Sequence, residues 1–192
     1  KMSTRAGRVV YLDDMMERIV TASFERLKEV DMSPKQKNIL AEKIGIGSLR
    51  YNILKVQPEK GFTFNIEDAL SIQGDSAPFA MYSHARMCSI IKKYGKNIPE
   101  MEVEADLIES EIELIRIMAK WPQTIELSSN KLAIHNIPNY IHELSSQFNN
   151  FYRDCKVIGD VNESLRINLV FSVKRILFDA LDIMGIEAPE RM

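Results

Sequence analysis

The chain has 192 residues, 45% hydrophobic and 27% charged, with a formal net charge of −2. Such a chain can bury one good core, or a short segment followed by a compact domain, and the composition is that of an ordinary soluble globular protein. It contains no apolar run near the ~20 residues of a membrane span and no stretch of the signal-peptide kind, and its near-neutral charge gives no global sign of nucleic-acid binding.

In chain order, residues 1–7 are small, polar and basic without hydrophobic period, and read as a loop. Asp13 and Asp14 open a helix, since acids suit its positive end, and Met15, Ile19, Ala22 and Leu27 keep helical spacing to about Val30. Ser33-Pro34 starts the next helix as N-cap and first position. It runs past Ile44, with Gly45 and Gly47 allowing close packing or a break. Gln57 to Phe64 reads as a loop, and Asn65 or Asp68 starts a short helix. A break at Gly74 to Pro78 leads into a long helix from about Pro78 to Lys93. Glu104 to Ala119 is predicted as a further helix, stopped by Trp121-Pro122. Two more follow, about Ile137 to Cys155 and about Glu163 to Met184, with Gly185 placed as a C-terminal cap.

Short pieces near Val9-Val10 and Phe62–Phe64 are the only candidate strands. The expected fold is therefore all-α, a helical bundle. Bases outnumber acids up to Lys60, and Glu100 to Glu113 is strongly acidic, so a local basic face could still meet phosphate. The plainer reading is solvated helix faces. Cys88 and Cys155 lack metal-type spacing and read as core thiols, and their sparse use fits a reducing compartment, hence a cytoplasmic location. His84 and Cys88 stand four apart, but two ligands do not make a structural zinc site, so no metal is expected.

Several motifs then occur in a telling order. Lys1-Met2-Ser3-Thr4-Arg5 resembles the KMSKS loop of class I aminoacyl-tRNA synthetases, with Thr4 where the usual pattern has its second lysine. Gly47-Ser48-Leu49-Arg50-Tyr51, then Phe64 to Ala69 and Gly74 to Phe79, resemble the region that follows this loop in arginyl-tRNA synthetases. Met81 to Arg86 resembles their Q-Y-T/A-H-A/S-R helix. Phe148-Asn149-Asn150-Phe151-Tyr152 resembles F-N-x-F-Y, and Ile186 to Met192 resembles the terminal G-I-x-A-P-E-R-M.

The resemblance spans essentially the whole chain. It implies a KMSKS loop and helical end of the catalytic region over residues 1–75 and a helical anticodon-binding domain over 76–192. It implies catalytic roles for Lys1, Ser3 and Arg5, where mobile cations and a hydroxyl would meet charge developing on the pyrophosphate leaving group. It implies tRNA contact for Tyr82, His84, Arg86, Ser89, Lys93, Tyr152 and Met192. Of these, Tyr82, Arg86, Ser89 and Lys93 share one helix face by spacing alone. Their plainer reading is a surface set, while Tyr152 after Phe148 and Phe151 reads as core and Met192 as a frayed end.

The three histidines, His84, His135 and His142, do not form a HIGH-type signature. The nucleotide-binding fold is missing too, so the expectation is a fragment. The intact enzyme would need ATP and Mg2+, and none is expected on the fragment. The expected partners are the anticodon stem-loop of arginine tRNA and the catalytic domain of the same protein, with no membrane. The alternative is a free-standing helical RNA-binding or adaptor module without catalysis. A cysteinyl or other class I synthetase is a weaker option.

Overall fold

The computed structural model describes residues 11–192. Lys1, Ser3, Arg5 and the Val9-Val10 candidate strand lie outside the described residues. Eight helices follow in order among the described residues: α1 (Leu12–Arg26), α2 (Pro34–Leu54), α3 (Ile66–Ala69), α4 (Ala77–Tyr94), α5 (Glu109–Ala119), α6 (Trp121–Asn130), α7 (Asn136–Asp154) and α8 (Glu163–Ile183). The all-α expectation holds, and no described helix is long and apolar enough to cross a membrane.

Local chemistry sets the helix starts. Before α2, Ser33 Oγ accepts from the Gln36 N–H, while Gln36 Oε1 accepts from the Ser33 N–H at 3.0 Å, a reciprocal capping box. Ser76 Oγ accepts from the Phe79 N–H at 3.3 Å, and Pro78 stands in the first turn of α4, where its missing donor costs nothing. At the far end of α8, Gly185 (φ +65°) donates to Asp182 O at 2.8 Å and Ile186 donates to Leu181 O at 2.9 Å. This crossed pair turns the chain back and satisfies carbonyls that the helix end would leave open.

Helices α4, α7 and α8 pack pairwise on one another and enclose the centre. Met81, Leu144, Phe148, Phe151, Val170 and Leu177 are fully buried there. Truncating Phe148 to Ala would cost about 3–5 kcal/mol through lost transfer energy and the cavity left behind. Helix α5 covers α7, α6 covers its first half, and α2 lies against α4, with α1 paired to α2. Both glycines of α2 serve close packing: a Cβ on Gly45 would stand 2.9 Å from the Val20 backbone, and one on Gly47 would stand 2.5 Å from Met81 Cε. Tyr51 crosses this layer. Its buried hydroxyl lies 2.7 Å from Asp75 Oδ1 and 2.9 Å from Pro138 O, so one proton serves two acceptors.

The sequence reading needs four corrections, the first being that α1, expected to run to about Val30, ends at Arg26. Phe62–Phe64 is irregular chain, with Phe62 47% exposed; among the described residues no strand lies beside it to give its backbone a ladder. The helix expected from Glu104 starts only at Glu109. The Glu104 and Ala105 N–H groups both donate to Asn162 Oδ1 (3.0 and 2.9 Å), and Asn162 Nδ2 donates back to Ala105 O, which pins this stretch against α8. Trp121-Pro122 ends α5 but also begins α6, because proline is harmless in a first turn.

Candidate RNA-binding face

Helix α4 carries the candidate face because its two sides face different environments. Met81 and Ala85 point into the core, whereas Tyr82, one residue on, is 40% exposed. One turn later, Arg86 extends along the protein surface toward α7. Its Nη2 donates to the Tyr82 hydroxyl at 3.1 Å, and its Nη1 donates to Asn149 Oδ1 at 3.2 Å. The guanidinium carbon sits 4.8 Å from the Tyr82 ring centre and 5.3 Å from that of Tyr152. Arg86 is thus held between two rings supplied by two helices, with a third group fixing its fork. Cation–π attraction favours this arrangement most where water is partly excluded.

Tyr152, which reads as core from its neighbours, is 41% exposed. Its ring stacks on Phe148 (centroids 6.1 Å apart, planes at 24°), so the core side of α7 supports an outward-facing ring. Lys93 is exposed farther along α4 and, with Tyr152 and Lys156, lines a groove of about 290 Å³. Ser89 is exposed on the same stripe, and its hydroxyl donates to Ala85 O at 3.0 Å. The structure therefore brings together Tyr82, Arg86, Ser89, Lys93 and Tyr152.

His84 does not join them. Two residues turn a helix by about 200°, which carries His84 from the Tyr82 face to the opposite side. It is 1% exposed, so a direct RNA contact by its ring conflicts with its burial. A carbonyl can only accept, so the 3.0 Å approach of Nδ1 to Pro189 O makes Nδ1 the protonated nitrogen. Burial pushes its pKa below the ordinary 6.5, and Lys174 adds to this, while the Pro189 hydrogen bond and Glu190 oppose it. Met192 is half-buried against the core rather than frayed.

Sequence reasoning missed Asn149 and Lys156. Asn149 stands three residues before Tyr152 and so shares its helix face, a signal that was available. Lys156 follows the end of α7, where no periodicity points to it.

The DALR anticodon binding domain family matches residues 80–192, more than half of the chain. The chain belongs to this family. The relatives agree on the enzyme in which this domain occurs. An arginine–tRNA ligase of Methanobrevibacter smithii is 40% identical over 195 residues, covering 100% of this chain and 34% of the relative. One from Pyrococcus abyssi is 38% identical, covering 100% of this chain and 32% of the relative. The structure of Thermus thermophilus arginyl-tRNA synthetase superposes with a TM-score of 0.85 at 26% identity, over 96% of this chain and 32% of that one. Plasmodium falciparum arginyl-tRNA synthetase shares the fold, with a TM-score of 0.82 at 21% identity over 96% of this chain and 34% of that one. This DALR chain therefore spans about a third of the length of the arginyl-tRNA synthetases it matches.

Proposed function

We propose that this chain is the anticodon-binding part of an arginine–tRNA ligase, and that Tyr82, Arg86 and Tyr152 form a platform for an unpaired base of the anticodon loop of arginine tRNA. The observation that carries this reading is the Arg86 guanidinium held between two half-exposed rings. Loop bases leave the stack easily, and aromatic or guanidinium planes replace the lost stacking without a fixed sequence preference. Specificity would come from polar groups at the platform edge, where the Tyr82 hydroxyl stands. Lys93 and Lys156 would meet the backbone phosphates.

In the whole enzyme, cytoplasmic by this reading, ATP with Mg2+ would supply the activated acyl group. Lys1, Ser3 and Arg5 would meet the pyrophosphate, and Lys1→Ala would slow adenylation while leaving arginine affinity nearly unchanged. The division at residues 75 and 76 stands as a proposal alongside. The family match and the ligase relatives leave the free-standing adaptor reading without an observation in its favour.

The test is titration of an arginine tRNA transcript against the wild-type chain and Tyr82→Ala. Loss of one stacking partner should weaken binding roughly tenfold or more. A folded Tyr82→Ala chain that binds as tightly as wild type would remove this face from the site.

A further inference from the structure

The segment after α8 is tied down along its whole length. The Arg50 guanidinium donates to Gly185 O. Lys43 Nζ lies 2.7 Å from Glu187 Oε2, and Arg191 Nη2 donates to Asp31 O at 3.3 Å in the turn between α1 and α2. Ile186 is buried against Gly47 of α2. These ties all lead to α1–α2 and the turn between them. Among the described residues, the polar tie to α4 is the single hydrogen bond from His84 Nδ1 to Pro189 O, and it is buried. The ring also faces Phe178 of α8, with centroids 6.2 Å apart.

We infer that His84 is a positioning residue, the latch by which the segment 185–192 joins the RNA-facing helix α4 to the α1–α2 pair. Its role in tRNA binding rests on the proposed function, while the latch itself does not. Exposed ties to Glu187 and Asp31 exchange readily with water, whereas a buried donor–acceptor pair has no solvent to replace it. Removing the imidazole frees the Pro189 carbonyl and lets residues 188–192 lift. Tyr82 and Arg86, on the same helix, then lose a support without losing a contact.

The test uses this chain as wild type, His84→Ala and His84→Asn. Asparagine places an amide N–H near the position of Nδ1 and is the conservative rescue. Release of Met192 and Arg191 by a carboxypeptidase reports the latch without RNA. His84→Ala should speed release roughly fivefold, the scale of one net hydrogen bond, and His84→Asn should restore most of the protection. Truncation after Ala188 removes the acceptor, so in that background His84→Ala should lower the thermal midpoint less than in the full chain, the remaining loss being that of ring packing on Phe178, and an equal drop in both backgrounds would overturn the latch. Equal release rates in all three chains would overturn the latch. Binding of an arginine tRNA transcript gives the second readout, with His84→Ala weakened and His84→Asn near wild type. A freed segment with unchanged tRNA affinity would overturn the positioning role, and Tyr82→Ala would still judge the platform separately.

Discussion

The carboxylate of Glu111 is fully buried and lies 2.7 Å from Nε of Arg166, itself only 8% exposed. Further partners flank the pair. Glu111 Oε2 accepts from the Ile108 N–H at 2.9 Å, and Arg166 Nη1 donates to Lys156 O and pairs with Asp160, both at 2.9 Å. The cluster ties α5, α8 and the 155–162 loop together. Arg166→Met should leave Glu111 charged and unpaired inside the protein, at a cost of about 3–5 kcal/mol. Urea unfolding measures it. A loss under about 1 kcal/mol would mean that the carboxylate finds water or a proton instead.

On the platform, charge and shape separate in one substitution. Arg86→Lys keeps the cation but loses the planar fork that reaches Asn149 and Tyr82 while lying between the rings. It should weaken arginine tRNA binding nearly as much as Arg86→Ala, with a similar salt slope. If the lysine chain binds like wild type, Arg86 acts as a point charge toward phosphate and the stacking role is lost.

The two close glycines of α2 should respond differently. Alanine gains up to about 1 kcal/mol of helix propensity over glycine at either site. At Gly45 the new methyl meets backbone of Val20, which cannot move without shifting α1. At Gly47 its nearest neighbour is the flexible end of Met81. Gly45→Ala should therefore lower the thermal midpoint, and Gly47→Ala should change it much less. Equal midpoints would show that α1 shifts freely on α2.

Stability should depend on His84 and pH with a definite sign. The folded imidazole has a pKa below the ordinary 6.5, so the unfolded chain takes up the proton first as pH falls. The contribution is complete above that value and is lost as pH drops through the range below it. The groups facing the ring act in opposite senses: Lys174 repels a proton and favours the neutral ring, Glu190 attracts one and opposes it, and Cys88 stands 3.8 Å away. The stability gap between wild type and His84→Asn should thus be larger near pH 7.5 than near about pH 5. A gap that is constant, or grows in acid, would contradict a neutral buried ring.

The fold was largely legible because its signals are local. Ser33, Ser76 and Gly185 mark helix ends through hydrogen bonds within a few residues, and the structure places those ends within a residue or so of the expectation. What stayed hidden depends on distant partners. Nothing near Glu104 announces that Asn162 will take its N–H, and nothing in Trp121-Pro122 separates a stop from a restart. The same divide runs through the site. Tyr82 and Arg86 share a face by spacing alone, but Asn149 and Tyr152 become their neighbours only through α4 packing on α7. His84, read with them from the motif, turns inward for the same geometric reason that Tyr82 turns out.

The Arg86 side chain has a thermodynamic consequence beyond the contacts it offers. A free surface arginine gives up about 2 kcal/mol of rotamer entropy when a ligand fixes it. Here the two rings and Asn149 already hold the guanidinium before any RNA arrives. That ordering cost is met on folding, so association begins from a preorganised surface. Asn149 would then influence affinity without touching RNA. Asn149→Ala should release Arg86 to its rotamers, make binding entropically less favourable by calorimetry, and leave the set of RNA contacts unchanged.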